Sequence, residues 1–431
     1  MSKEENRKNF SKYVSQNILG MIGFSCYVLA DSYFISIAKG ADGLTALNLV
    51  MPLYSIIFSI GEMIGVGSAI RYAISKIKKD ADADDYFWNA IIWCIMSSMI
   101  FVFAGIFFSA DIMRVLGADE HIVAVGNNYT KIFMCFAPMF MCNYVTNAFV
   151  RNDGAPGIAM SATLFSSLFN IVFDYILMFP MNLGMEGAAL ATALSPIIGM
   201  GICSIHFFSK KSSVRLVVCK PSVRKLVAGC QLGVSAFVGE MSSAVITLAF
   251  NFVILKLAGN VGVAAYGVVA NIAIVTTAVF NGVAQGSQPL ISSCFGRGDK
   301  DGCTQLKRMG YTTAFVLAAV MYSILFIFAG QFVAVFNSEG SEMLRLYATE
   351  GVKLYFIGIF FAGINIVGGG AFSATEDAFK AAVVSVARGF VLILGAVFVM
   401  SAFFGMTGVW LAYAVAEGIT TFIMLVMAMR V

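Results

Sequence analysis

The sequence predicts an all-α polytopic membrane protein, with twelve transmembrane helices in two six-helix lobes related by a pseudo-two-fold parallel repeat. Three observations carry this expectation. The 431 residues are 59% hydrophobic and only 12% charged, where a soluble domain is about 45–50% apolar and about 25% charged. Residues 89–110, 257–296, 311–338 and 355–375 hold no Asp, Glu, Lys or Arg, and roughly 20 apolar residues suffice to span a bilayer. The third observation is an internal repeat across the middle of the chain, described below.

Twelve apolar cores follow one another, at 15–37, 45–70, 88–109, 124–149, 157–180, 187–208, 229–256, 262–290, 311–335, 346–372, 381–402 and 407–429. They are apolar all round rather than on alternate residues, which excludes a β-barrel. The start, "MSKEENRKNFSK", carries both signs of charge and leads into an apolar run without a small-residue cleavage site. The first helix is therefore expected to act as an uncleaved anchor.

Basic residues orient the chain. An alternating thread with the N-terminus in the cytoplasm puts 21 of the 28 Lys and Arg on that side, including Arg151, Lys380 and Arg430, against five on the other. Lys353 and Arg388 fall inside helices. This bias predicts a multi-pass plasma-membrane protein with both termini cytoplasmic. The net charge of +4 resides in connecting loops and gives no reason to expect a nucleic-acid partner.

The longest basic connection, 209–227, separates six helices from six and suggests lobes over 1–215 and 216–431. An offset of about 220 residues aligns them. "GADGLTALNLV" at 40–50 matches "GNVGVAAYGVV" at 259–269, and Gly67-Ser68 falls on Gly286-Ser287. "LGMEGAALATA" at 183–193 matches "FGMTGVWLAYA" at 404–414. Six helices per lobe make the repeat parallel, an arrangement in which transporters bind substrate between halves that rock.

Two acids stand out. Asp31 is the only charge from Met21 to Ala38, and Asp174 lies in "SLFNIVFDYILMF". Tyr27 and Asn170 sit four residues before them, on the same helical faces. Thr192 on the sixth helix adds a hydroxyl. An intramembrane charge costs at least about 2.5 kcal/mol. The set Tyr27, Asp31, Asn170, Asp174 and Thr192 therefore suits a coordinated sodium ion or two carboxyls sharing a proton; a polar core that fixes helix packing is the alternative. The two histidines, His121 and His206, are far apart, and the nine cysteines form no C-x-x-C pair. The cysteines are expected to pack as small hydrophobes, and no enzyme chemistry or cofactor is expected.

The motifs resemble those of a known family. "LADSYFISIAKGADGLTALNLVMP" is similar to the first-helix signature of the multidrug and toxic compound extrusion (MATE) transporters, and "GVAQGSQPLISSCFGRGD" at 282–299 resembles their eighth-helix motif. The resemblance implies secondary active efflux of small lipophilic or cationic organic compounds through the bilayer, by a monomer, in exchange for protons or sodium. Antibiotic resistance would be the phenotype. It implies, for the Asp-based branch, that Asp31 couples transport together with Asp174, Asn170, Thr192 and Tyr27. Glu240 is a possible second-lobe acid. Gln285, Gln288 and Pro289 read either as a gate element or as a helix terminus. The chain departs from many members at Gln16, where they carry a proline, which leaves no basis for bending the first helix there. Lys353 is expected to pair with Glu350 at a water-facing edge, and Glu62, Arg388 and Glu417 are left without a role. A lipid-linked precursor flippase of the same superfamily is the rival; it calls for a basic central cavity.

Overall fold

The computed structural model describes residues 3–336 and 341–429; Arg430 lies outside them. Nine helices of the described residues are long and apolar enough to cross a membrane, or ten when the bent pair Glu120–Cys135 and Ala137–Asn152 counts as one. Dividing the two longest, Val223–Gly296 and Ala378–Ala428, at the glycines that break them gives twelve rods. We label these α1 (Lys3–Gly40), α2 (Asp42–Lys78), α3 (Asp85–Val115), α4 (the bent pair), α5 (Pro156–Met178) and α6 (Gly184–Phe207). The rest are α7 (223–258), α8 (260–296), α9 (Lys300–Ile327), α10 (Glu342–Ala374), α11 (378–404) and α12 (406–428). The chain is thus a multi-pass all-α membrane protein.

The breaks follow the repeat. Gly40, Gly259 and Gly405 adopt φ of 59°, 61° and 57° with ψ of −142°, −157° and −135°. No side chain adopts that region cheaply, so glycine is what lets one helix end and the next begin with no loop. Gly184, at φ 50°, opens α6 and lies about 220 positions before Gly405, as Gly40 lies before Gly259. Elsewhere capping side chains set the starts. Asp119 accepts from Ile122 N at 2.8 Å, Asp299 from Gly302 N at 2.8 Å, and Ser222 caps α7 through Lys225 N at 3.4 Å.

Among the described residues, buried apolar side chains fall into one large cluster in the second half, running from Phe250 to Ala416, a small one around Phe372 and Met424, and three in the first half. Each half lends a helix end to the other. Phe10 and Val14 of α1 join the second-half cluster, and Leu232 of α7 joins one in the first half. The backbones meet closely there. A Cβ on Gly67 would collide with the Gly229 carbonyl oxygen, and one on Gly286 would stand 2.7 Å from Val14 Cα. The glycines that the repeat superimposes thus occupy equivalent crossings between halves.

The connection after α6 is pinned to the first half. Asp153 faces His206 Nε2 at 2.8 Å and accepts from Tyr72 Oη at 3.1 Å and Ser213 N at 2.9 Å. Asn89 accepts from Ser222 N at 2.6 Å, and Lys225 pairs with Asp82 and Asp85 at 2.9 and 2.6 Å. At the same end, Arg71 of α2 bonds Glu376 of the α10–α11 turn. Six described cysteines (Cys94, Cys142, Cys203, Cys294, Cys303 and the half-buried Cys230) lie among apolar neighbours, and all nine are free.

Candidate functional site

Three of the polar clusters among the described residues lie along the helices that enclose the interior. The first is the acid pair expected from the sequence. Asp31 on α1 and Asp174 on α5 are 6% and 0% exposed, and the two carboxyl groups are near enough to act on each other electrostatically. Asn170, one turn before Asp174, donates Nδ2 to Thr192 Oγ1 at 3.2 Å. That bond joins α5 to α6 and leaves Asn170 Oδ1 without a donor. Asp31 Oδ1 and both carboxyl oxygens of Asp174 lack one too. Tyr27 lies one turn before Asp31 and packs its ring edge-on against Phe24 at 5.0 Å. Buried polar atoms are nearly always satisfied. Four acceptor oxygens facing no donor fit a proton or a hard monovalent cation, since two adjacent carboxylates without a base cannot both stay charged in a dry site.

The second cluster lines a cavity of about 140 Å³ whose wall includes Tyr27, Asn170 and Thr192. The cavity therefore begins where the acid pair ends. Its other polar residues include Asn17, Glu62, Arg151, Glu240, Asn281 and Gln285, and its apolar wall includes Phe24, Phe58, Phe140 and Tyr144. Glu62 belongs to α2 and Glu240 to α7, so each half supplies one acid. Gln285 of α8 ties the halves: Arg151 Nη1 donates to its Oε1 at 2.7 Å, and its Nε2 donates to Glu62 Oε1 at 3.3 Å.

The third cluster lies in the second half. Arg388 sits in a single π-helical turn, Ala387–Val391, of the kind that re-aims side chains within a helix. It donates through Nη2 and Nε to Glu417 Oε1 at 2.7 and 3.0 Å. Asn365 Nδ2 donates to Glu417 Oε2 at 2.7 Å, and Thr421 Oγ1 donates to Asn365 Oδ1 at 3.0 Å. Both oxygens of this acid are met.

Several expectations change. The expectation of Arg151 as a base in a cytoplasmic loop fails: it is 5% exposed and lines the cavity. The turn residues of "VRNDG" obscured this, because the helix that carries Arg151 runs to Asn152. A helix terminus at Gln285–Pro289 is also overturned: α8 continues to Gly296 with Pro289 in its interior. Gln285 lines the cavity, while Gln288 is buried with Oε1 unmet, close to Gly370. Lys353 and Glu350 do not share a bond; Lys353 Nζ lies 5.2 Å from the Phe326 ring centroid, and Glu350 accepts from Thr407 Oγ1 at 2.6 Å. Glu62, Arg388 and Glu417 now have the partners given above. Asn251, the repeat counterpart of Asp31, is half-buried.

Comparison with known proteins agrees with this architecture. The MatE family model matches twice, at residues 17–176 and 236–399, once in each half. The multidrug export protein MepA of Staphylococcus aureus (strain MRSA252) is 27% identical over 414 residues, covering 93% of this chain and 89% of that protein. MepA of Staphylococcus saprophyticus is 26% identical over 410 residues, with the same coverage. A multidrug resistance MATE family transporter of the MOP superfamily, solved in an outward-facing conformation, superimposes with a TM-score of 0.92 at 20% identity, covering 99% of this chain and 96% of that one. A MOP superfamily transporter from Pyrococcus furiosus gives 0.91 at 20% identity over the same shares. With its two family matches spanning well over half of its length, the chain belongs to the multidrug and toxic compound extrusion (MATE) family of membrane transporters.

Proposed function

We propose that this transporter is a multidrug exporter that expels lipophilic, often cationic, organic compounds in exchange for protons or sodium. The single observation that carries the reading is the Asp31–Asp174 pair: buried, baseless, with three carboxyl oxygens unmet, and adjoining the cavity through Tyr27, Asn170 and Thr192. The relatives named as multidrug export proteins support efflux as the direction.

In this reading the protein works as a monomer in the plasma membrane with both termini cytoplasmic, and residues 1–215 and 216–431 move as two lobes. An incoming proton or sodium binds Asp31, Asp174, Asn170 and Thr192, with Tyr27 at the boundary with the cavity. That binding favours the conformation that releases the compound, since a ligand shifts an equilibrium only through its differential affinity for the two states. Sodium suits the oxygen set, and a proton shared by the two carboxyls suits it equally. Gln288 and Pro289 serve as a flexible element of α8, and Glu240 contributes an acid from the second lobe. The flippase reading loses ground because the cavity lining holds two glutamates and a single arginine, where a pyrophosphate would call for several bases.

The test is transport of a cationic dye in vesicles carrying an imposed pH or sodium gradient. Wild type is expected to export with one of them, and Asp31→Asn to lose gradient-driven export while remaining folded. Undiminished export by Asp31→Asn sinks the coupling assignment.

A further inference from the structure

Among the described residues Arg151 is the one base in the cavity lining, and its surroundings are unusual for a guanidinium. It is 5% exposed. Nη1 donates to Gln285 Oε1 at 2.7 Å and to Asn17 Oδ1 at 3.4 Å, both neutral acceptors, and Nε has no acceptor at all. A buried arginine normally forks onto a carboxylate. Here Glu62 lines the same cavity but is reached through Gln285. Glu62 and Glu240 line the same cavity. The lining therefore holds two acids and one base, and the base is tethered near the acids without closing on them.

We propose that Arg151 is a resident counter-cation, which offsets the field of Glu62 and Glu240 in the empty cavity and thereby limits how tightly a cationic substrate is held. The inference rests on the efflux reading above, in which this cavity receives the exported compound. A cation entering beside Glu62 and Glu240 meets a field already partly cancelled by Arg151. Its affinity stays low enough for release, and binding of an uncharged compound is left untouched. Because Gln285 and Glu240 belong to the second half while Arg151 and Glu62 belong to the first, movement of the halves changes how much of the field Arg151 cancels.

The experiment measures equilibrium binding of tetraphenylphosphonium and of neutral triphenylphosphine oxide to the full-length protein in nanodiscs. Arg151→Met is expected to bind tetraphenylphosphonium on the order of tenfold more tightly, as removal of one positive charge at cavity range would give, and to bind the oxide as wild type does. Arg151→Lys, which retains the charge, should return the affinity toward wild type. The gain should vanish when Arg151→Met is combined with Glu62→Gln and Glu240→Gln, a cycle that isolates the charge coupling. Should Arg151→Met not fold, Arg151→Gln carries the same expectation. Unchanged or weaker tetraphenylphosphonium binding by the neutral variants, an equal change for both probes, or a gain that persists without the two glutamates overturns the proposal while leaving the efflux reading intact. Failure of wild type and variants alike to bind the cation removes both.

Discussion

As whole residues, three acids are buried among the described residues: Asp31, Asp174 and Glu417. The first two share one site in the first half and the third stands in the second half, and the two sites are built in opposite ways. Glu417 is enclosed by an arginine and an asparagine, so its charge is met within the protein. Asp31 and Asp174 have each other and little else. A closed ion pair has nothing left to bind with, whereas an acid pair with unmet oxygens has unspent affinity for a proton or cation. Under the proposed function one cluster is a structural part and the other takes an exchangeable ligand, although both are charges in a membrane interior.

The largest expected effect comes from opening the closed pair. Glu417→Ala leaves the Arg388 guanidinium without its carboxylate, and breaking one side of a buried pair costs about 3–5 kcal/mol. Thermal unfolding in detergent should show a large drop in Tm, and the yield of folded protein should fall. Asp31→Asn, by contrast, removes an unmet charge at constant shape, and its loss should appear in gradient-driven export with little change in Tm. A Tm loss for Asp31→Asn as large as that for Glu417→Ala would erase the distinction between the clusters.

A smaller effect follows from replacing both members of the closed pair. Apolar residues of similar volume in place of a buried ion pair are often neutral or stabilise by about 1–4 kcal/mol. Arg388→Met with Glu417→Leu should therefore restore Tm to near the wild-type value, provided that Asn365 is changed to Leu to avoid leaving its amide unmet. Gradient-driven export should survive. Loss of export in a stable triple variant would show that the second-half cluster takes part in transport after all.

How far these sites were legible in the sequence follows from the same contrast. Asp31 and Asp174 announce themselves, since a lone charge in an apolar run is costly and a polar residue four positions earlier shares its face. The twelve rods were legible because each break falls at a glycine or a polar turn in a hydropathy pattern. Arg388 and Glu417 were not, because they are 29 positions apart on different rods and only packing of α11 against α12 joins them. Arg151 was concealed by its neighbours: Asn152, Asp153 and Gly154 signal a turn, and the turn does follow, but one residue later than a solvent-exposed arginine would need. Pro289 misled for a related reason. Proline removes one backbone donor, yet α8 accommodates it and continues to Gly296.

The smallest expected effect tests whether one acid suffices. Asn251 stands where the repeat places the counterpart of Asp31, on α7 of the second half. Introducing Asn251→Asp into an Asp31→Asn background returns the number of membrane-embedded acids to that of the wild type, but places the new one on α7 rather than on α1 with Asp174 beside it; the deeply buried acid of the second half, Glu417, is already held by Arg388 and Asn365. A carboxylate outside an acid pair has no second carboxyl with which to share a proton. Gradient-driven dye export should therefore stay at the Asp31→Asn level. Recovery of export by the double variant would mean that any intramembrane acid at this depth can couple, and that the pairing of Asp31 with Asp174 is not what makes the first half the driven one.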